Sequence, residues 1–181
     1  MQPRDREKGF TVMELLVFVA MVALAAGISL PMFASAMQRA QTRGAGGVLA
    51  AAIRDARMRA VSTGWQYQVV AYGPTGAVPN SFRIEGMNPL GGGTFPPAGS
   101  ASTPPFYGNN QTYEAYTVLP RDYGTAQIQV PGGGTFTVTF DSLGQWATPC
   151  APANCQVQVS TTAGVSTLTV SQAGAVRVVK P

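Results

Sequence analysis

The sequence has 181 residues, of which 11% are charged, and it is rich in glycine (21) and proline (14). This length suits one compact domain with an appendage, and the composition favours a β-rich body with many loops over a helical bundle. Because histidine is absent, catalytic triads and metal sites that depend on it are excluded.

The net charge of +4 is concentrated in one segment. Residues 32–63 carry five arginines and one aspartate, whereas residues 64–181 carry four cations and four acids. The basic character is therefore a property of the N-terminal part and does not predict a basic binding face on the body.

A long apolar run lies near the N-terminus. Residues 10–30 contain one charged side chain, Glu14, and follow a short stretch with three cations and two acids. As a helix these residues would extend about 32 Å, close to the roughly 30 Å of a bilayer core. The cations before the run favour an N-terminus in the cytoplasm.

Two interpretations of this run leave Glu14 unexplained. A secretory signal peptide would be cleaved after the small residues 34–36, so that the mature chain starts at Met37, but the apolar region of such peptides is usually only about 7–15 residues long. A plain membrane anchor would place the carboxylate in hydrocarbon at a cost of about 2.5–3.5 kcal/mol. A charge kept at that cost usually has a partner.

The third interpretation explains the acid. The stretch GFTVME, which begins at Gly9, resembles the prepilin cleavage and methylation motif of type IV pilins and type II secretion pseudopilins. The resemblance implies that a prepilin peptidase cleaves between Gly9 and Phe10 on the cytoplasmic side, and that the new amine of Phe10 is methylated. It also implies a filament, in which the α-ammonium of Phe10 on one subunit can pair with Glu14 of a neighbour. Such a pair neutralises two charges that are costly in an apolar core. Val12 and Met13 stand where the family more commonly has leucine and isoleucine.

The helix is expected to continue to residue 63. Pro31 removes a helical hydrogen bond, so we expect a kink or a local break there. Beyond it, four apolar residues recur at spacings of four, three and four and predict one face for packing on a sheet: Leu49, Ile53, Ala56 and Ala60. Three glycines weaken the helix prediction locally: Gly44, Gly46 and Gly47.

A stripe of cations about 60° wide lies beside this apolar face and consists of Arg39, Arg43, Arg54 and Arg57. We favour the interpretation that these arginines form the solvated edge of a helix that packs on a sheet. Alternatively, the stripe contacts other filament subunits or a polyanion.

The body is predicted to be β-rich. Alternation of apolar and polar residues, partial in some segments and clear in others, predicts strands at residues 65–72, 81–85, 113–119, 125–130, 135–141, 156–161, 166–171 and 175–179. Residues 87–110 are rich in glycine, proline, serine and asparagine and are expected to form a long loop. Short connections near the C-terminus favour antiparallel pairing. The predicted fold class is therefore α+β, with a long N-terminal transmembrane helix packed on an antiparallel β-rich head that contains two sheets.

Three segments of the body resemble the FimT/GspH family of minor pilins and pseudopilins: residues 49–70, the FDSLG stretch at residues 140–144 and the VSQAGAVRV stretch at residues 170–178. The resemblance implies a leader peptide at residues 1–9 and a helix at residues 10–63. Residues 10–30 of that helix would span the inner membrane, and residues 31–63 would pack on a periplasmic head formed by residues 64–181.

The expected function is that of a minor pilin, a filament subunit without catalytic activity that helps to assemble or prime a type IV pilus. The expected partners are other major and minor pilins, the prepilin peptidase and the inner membrane. The first alternative is a GspH-like minor pseudopilin of a type II secretion system.

The two cysteines, Cys150 and Cys155, lie in a loop rich in proline and alanine. In an exported protein this spacing is typical of a disulfide that closes a short loop, and free thiols are the alternative. Without histidine, two cysteines are too few for a structural zinc site. No metal or cofactor is expected.

The sequence does not predict enzymatic chemistry. Four acids are scattered without a companion motif and are expected to serve solubility or turns: Glu85, Glu114, Asp122 and Asp141. The glycine runs lack the lysine and the strand-to-helix setting of a phosphate-binding loop.

DNA binding is the second alternative. Some FimT-like minor pilins bind DNA through arginines near the C-terminus, and the matching cations here are Arg177 and Lys180. The arginine-dense pattern of those proteins is missing. Two cations on a neutral body are a weak footprint, because affinity for DNA grows with the number of phosphates neutralised.

Overall fold

The computed structural model describes residues 10–96, 106–108, 111–147, 156–162 and 164–179. The chain divides into two compact units, Met1–Met37 and Gln38–Pro181. The predicted leader with Gly9, the predicted disulfide between Cys150 and Cys155, and Lys180 lie outside the described residues.

The described elements are two α-helices, one short 3-10 helix and ten strands. In chain order they are α1 (Val12–Thr63), β1 (Gln66–Tyr72), β2 (Ser81–Met87), the 3-10 helix Pro89–Gly91, β3 (Phe106–Gly108), β4 (Gln111–Tyr113), β5 (Thr117–Val118), α2 (Leu119–Tyr123), β6 (Gln127–Gln129), β7 (Thr135–Phe140), β8 (Gln156–Thr161), β9 (Gly164–Val170) and β10 (Val176–Val179).

The strands form two sheets in which every described pairing is antiparallel. The first sheet has the order β3-β4-β2-β1-β7, and β5 pairs with β2 beside it. The second sheet has the order β10-β9-β8-β6. A long N-terminal helix and two antiparallel sheets confirm the predicted α+β class.

The predicted apolar face of α1 is buried in the head. Leu49, Ile53, Ala56 and Ala60 are all 0% exposed. They join one core with Val69 and Val138 of the first sheet and with Val157, Val159 and Leu168 of the second. Burying each side chain of the size of leucine or isoleucine contributes about 1.5–3 kcal/mol, so this face anchors the helix on the head.

α1 continues through Pro31, so the local break, one of the two expected outcomes there, is not present. The helix also continues through the glycines that weakened its prediction, and close packing explains two of them. A methyl group added at Gly44 would lie 2.9 Å from Cε1 of Tyr123, and one added at Gly46 would lie 3.2 Å from Cβ of Ser166. Glycine thus lets neighbouring elements approach the helix closely. The packing gained in this way offsets the cost of glycine in a helix, which is about 1 kcal/mol relative to alanine.

The first sheet is buried on both faces at β1 and β2. The partial alternation of apolar and polar residues in these strands did not predict burial of the second face. The segment that follows β2 covers the second face. Pro96 is buried next to Val70, and the ring of Tyr116 packs edge-on to that of Tyr72 with centroids 5.9 Å apart.

Two predicted boundaries in this covering segment are wrong. The predicted loop at residues 87–110 contains the 3-10 helix and β3. The predicted strand at residues 113–119 is divided, because β4 ends at Tyr113, β5 holds two residues and Leu119 begins α2. The proline that follows Leu119 suits the first turn of a helix, where its missing N–H would be unpaired in any case.

Candidate functional site

The N-terminal unit begins with a capped helix. The backbone N–H of Glu14 donates to Oγ1 of Thr11 at 3.2 Å, and that of Leu15 donates to the carbonyl of Thr11 at 3.2 Å. Ser and Thr at this position satisfy N–H groups that a helix start leaves free. Phe10 precedes the helix and is 83% exposed. The cap therefore keeps the predicted new N-terminus outside the helix.

Glu14 lies in the first turn of α1. A carboxylate there is favoured by the partial positive charge at the helix start. Within the part of the chain that the structure describes, no cationic side chain forms an ion pair with it.

The helix behind Glu14 is apolar and exposed. Residues 10–29 and 32–37 are all exposed. By length and composition α1 is able to cross a membrane. In water such a surface would be strongly unfavourable at roughly 25 cal/mol per Å², so an apolar surrounding is favoured.

The arginine stripe has two uses. Arg57 Nε donates to the carbonyl of Gly144 at 3.0 Å, and Arg54 Nη2 donates to that of Val176 at 3.4 Å. Arg39 and Arg43 are exposed. Half of the stripe thus ties α1 to the turn at Gly144 and to the start of β10, so the favoured interpretation as a solvated edge holds for Arg39 and Arg43 only.

Arg59 links α1 to the segment between β4 and β5. Its guanidinium lies 2.8 Å from Asp55 Oδ2 and 2.6 Å from Glu114 Oε1. Burial opposes the charge of Arg59, but the hydrogen bond with Asp55 and the charge of Glu114 outweigh it and raise its pKa. Glu114 is therefore part of a partly exposed ion-pair network, and its prediction as a plain solubility residue is corrected.

A charged cluster that the sequence did not reveal lies on the second face of the first sheet. Glu85 is 1% exposed, and its two carboxylate oxygens accept hydrogen bonds from Arg83 Nε and Gln68 Nε2, each at 2.5 Å. The guanidinium carbon of Arg83 lies 4.5 Å from the centre of the Tyr116 ring. Burial, together with the neighbouring Tyr72 side chain, raises the pKa of Tyr116 to about 12, so this ring stays neutral beside the cation.

The prediction that Glu85 is a solubility or turn residue is therefore wrong. Arg83 and Glu85 are two residues apart on one strand, so they share a face, and Gln68 lies opposite Glu85 in the neighbouring strand. The shared face of Arg83 and Glu85 could have been predicted from their spacing in a strand. The pairing of β1 with β2 and the cover over them could not have been.

Asp141 has the turn role that the sequence predicted. Its Oδ1 accepts hydrogen bonds from the N–H groups of Leu143 at 3.0 Å and Gln145 at 2.8 Å. Asp122 is exposed in α2. Among the described residues, no group of three or more aspartate, glutamate, cysteine or histidine side chains is placed to hold a metal ion.

Arg177 is exposed on β10, an edge strand, opposite Thr169 of β9. The same face of the second sheet carries uncharged side chains at its other described positions: Gln127, Gln129, Gln156, Gln158, Ser160, Val165, Thr167, Thr169 and Val179. One described cation on a neutral face can neutralise few phosphates of a nucleic acid, so it gives little electrostatic affinity.

Comparisons with known proteins give two similar structures and no sequence match. Both structures are crystal forms of the type IV minor pilin FimU of Pseudomonas aeruginosa. The first has a TM-score of 0.48 at 19% identity and covers 80% of this chain and 91% of FimU. The second has a TM-score of 0.45 at 19% identity, with coverage of 77% and 92%. No protein-family model and no curated protein matches the sequence.

Proposed function

We propose that this chain is a minor pilin that helps to assemble or prime a type IV pilus as a subunit without catalytic activity. In this proposal a prepilin peptidase removes residues 1–9, and the amine of Phe10 is methylated. The helix first spans the inner membrane with the head in the periplasm. It then enters the filament together with other pilins.

The observation that carries the proposal is the exposed apolar helix with one acid at its start. Its apolar surface has no cover within its own unit, as far as residues 10–37 are described. Lipid covers such a surface before assembly, and the helices of other subunits cover it afterwards. A plain membrane anchor would account for the apolar surface but not for Glu14.

The position of Glu14 supports a role in subunit pairing. The cap at Thr11 leaves Phe10 outside the helix, so its α-ammonium is able to reach a carboxylate on another subunit. Leaving either charge alone in an apolar filament core costs several kcal/mol, and pairing them offsets most of that cost. The pair therefore gives a newly inserted subunit a preferred register against its neighbour.

DNA binding is not part of the proposal. Arg177 is the one described cation on the solvent face of β10 and its sheet, and a single neutralised phosphate adds little affinity at physiological salt. The pilus is preferred to the secretion pseudopilus as the filament, because a loop near the C-terminus that Cys150 and Cys155 would close resembles that of minor pilins of type IV pili.

The first test is the mature N-terminus and the effect of Glu14. Mass spectrometry of protein from sheared pili should find a chain that starts at N-methylated Phe10. Glu14→Ala should leave that cleavage intact and remove most of the subunit from the filaments, whereas Asp122→Ala, which changes an exposed acid of the head, should assemble normally.

Each contrary result has a distinct meaning. A mature start at Met37 would establish a signal peptide, and an intact start at Met1 would establish a plain anchor. Normal assembly of Glu14→Ala would remove the role given to the acid. Recovery of the protein with secretion pseudopilins, and not in sheared pili, would establish the pseudopilin alternative.

A further inference from the structure

The head carries an exposed apolar patch of its own. Met58, Val61 and Leu143 are 65%, 56% and 73% exposed, and we call these three residues the turn patch. Met58 and Val61 are one helical turn apart on α1. The turn with Leu143 lies against Val61, because a methyl group added at Gly144 would come within 2.7 Å of Cγ2 of Val61.

The clustering is what makes these residues informative. Scattered exposed apolar side chains are normal on a protein surface, whereas contiguous ones indicate an interaction site. In the described part of the head, three of the six large apolar side chains that are exposed belong to the turn patch, the others being Leu90, Val165 and Val179.

The turn patch is held rigidly. Asp141 Oδ1 binds the N–H groups of Leu143 and Gln145 and closes the turn. The carbonyl of Gly144 accepts a hydrogen bond from Arg57 Nε at 3.0 Å, which fixes the turn to α1. Leu143 is thus presented on a preorganised turn, and a preorganised surface loses less conformational entropy on binding.

The charge beside the turn patch is positive. Arg54 lies one turn before Met58 on α1 and is exposed, and although its Nη2 donates to the carbonyl of Val176, its guanidinium has further N–H groups to offer. The nearby acids are engaged within the head, since Asp55 pairs with Arg59 and Asp141 closes its turn. A partner that fits this surface has an apolar side chain with a carboxylate beside it.

We propose that the turn patch binds a different subunit of the same filament, through an apolar side chain flanked by an acid. A symmetric contact between two copies of this chain fits poorly, because each patch would face another patch with the same cation, Arg54, and like charges across an interface are costly. The inference rests on the proposed function and adds to it the chemistry of one neighbour.

The test places a photocrosslinking amino acid at Leu143 in the full chain, in cells that make filaments. Leu90, which is 96% exposed on the 3-10 helix, serves as the matched control site. We expect a crosslink from position 143, and not from position 90, to a peptide of another filament subunit that contains aspartate or glutamate. Arg54→Glu should lower the yield about tenfold or more, and reversing the charge of the partner's acid should restore it.

Three results would overturn the proposal: crosslinks only between copies of this chain, no crosslink above the level at position 90, or a yield unaffected by Arg54→Glu. Thermal unfolding of each variant in detergent verifies that the head is intact. The mature N-terminus and filament content are measured in the same cells. If the subunit assembles normally and position 143 does not crosslink, the turn patch is rejected while the proposed function stands. If the chain starts at Met1 yet position 143 crosslinks as expected to an acidic filament subunit, the proposed processing fails while the patch stands.

Discussion

At the scale of single residues, the cluster around Glu85 carries the largest energetic consequence. Arg83 and Glu85 are both almost fully buried, so each has lost most of its hydration. A buried ion pair adds little net stability over well-packed apolar residues of the same volume. Breaking the pair is different, because the charge that remains is left without compensation in a medium of low dielectric.

We therefore predict that Glu85→Ala lowers the free energy of unfolding by about 3–5 kcal/mol. Glu114→Ala is the control, since it removes an acid from a partly exposed pair with Arg59 and should cost no more than about 1 kcal/mol. Urea unfolding of the full chain in detergent measures both.

The double variant Arg83→Met/Glu85→Leu tests whether the cost of Glu85→Ala comes from the charge of Arg83 that is left without a partner. Because it removes both charges and keeps the volume, it should be more stable than Glu85→Ala alone. A double variant that is less stable than the single variant would show that Arg83 is held by contacts worth more than its pair with Glu85.

At the scale of elements, the sequence predicted what depends on local pattern and missed what depends on distant segments. The buried face through Leu49 and Ile53 follows from helical spacing, and β8, with its clean alternation, has the predicted bounds Gln156–Thr161. The burial of β1 on both faces requires a segment that begins after Met87 to fold back over it, and no local pattern encodes that contact. The same long-range cover accounts for the missed cluster at Glu85.

The glycines of α1 show the same limit. Their low helix propensity is a local property and was read correctly, but the space around each one is set by other elements. Gly44 and Gly46 are crowded by Tyr123 and Ser166, whereas a methyl group added at Gly47 would have no atom within 4 Å. Propensity decides the outcome only where packing does not.

From this difference we predict that Gly47→Ala stabilises the head by up to about 1 kcal/mol, which raises the midpoint of thermal unfolding by about 2–4 °C. Gly86→Ala is the contrasting variant, because its methyl group would lie 2.7 Å from Thr112 Cγ2 and from Tyr67 Cε1. Overpacking between two strands should destabilise the head by about 1–3 kcal/mol. If Gly47→Ala instead destabilises the head, the space beside Gly47 is occupied in solution, and the prediction is wrong.

At the scale of the whole molecule, the two units have opposite surfaces. The core residues found in the described part of the chain run from Ala45 to Val170 and all belong to Gln38–Pro181. In the other unit, residues 10–29 and 32–37 are all exposed. Stability is thus a property of one unit, and the need for lipid or neighbours is a property of the other. This division suits the proposed function, in which the helix exchanges one apolar surrounding for another while the head keeps its fold.

The last prediction follows from that division. A fragment that begins at Gln38 should be soluble without detergent and should unfold cooperatively in urea with a midpoint close to that of the full chain in detergent, because it keeps the core intact. A fragment that begins at Ile53 is the matched control. It lacks Ala45 and Leu49, which are both 0% exposed, and the loss of one buried leucine side chain alone costs about 2–5 kcal/mol. If the longer fragment aggregates or unfolds without cooperativity, the apolar segment before it contributes to the fold of the head. In that case the helix could not exchange its surroundings independently of the head, as the proposed function requires, and the division between anchoring and folding would have to be abandoned.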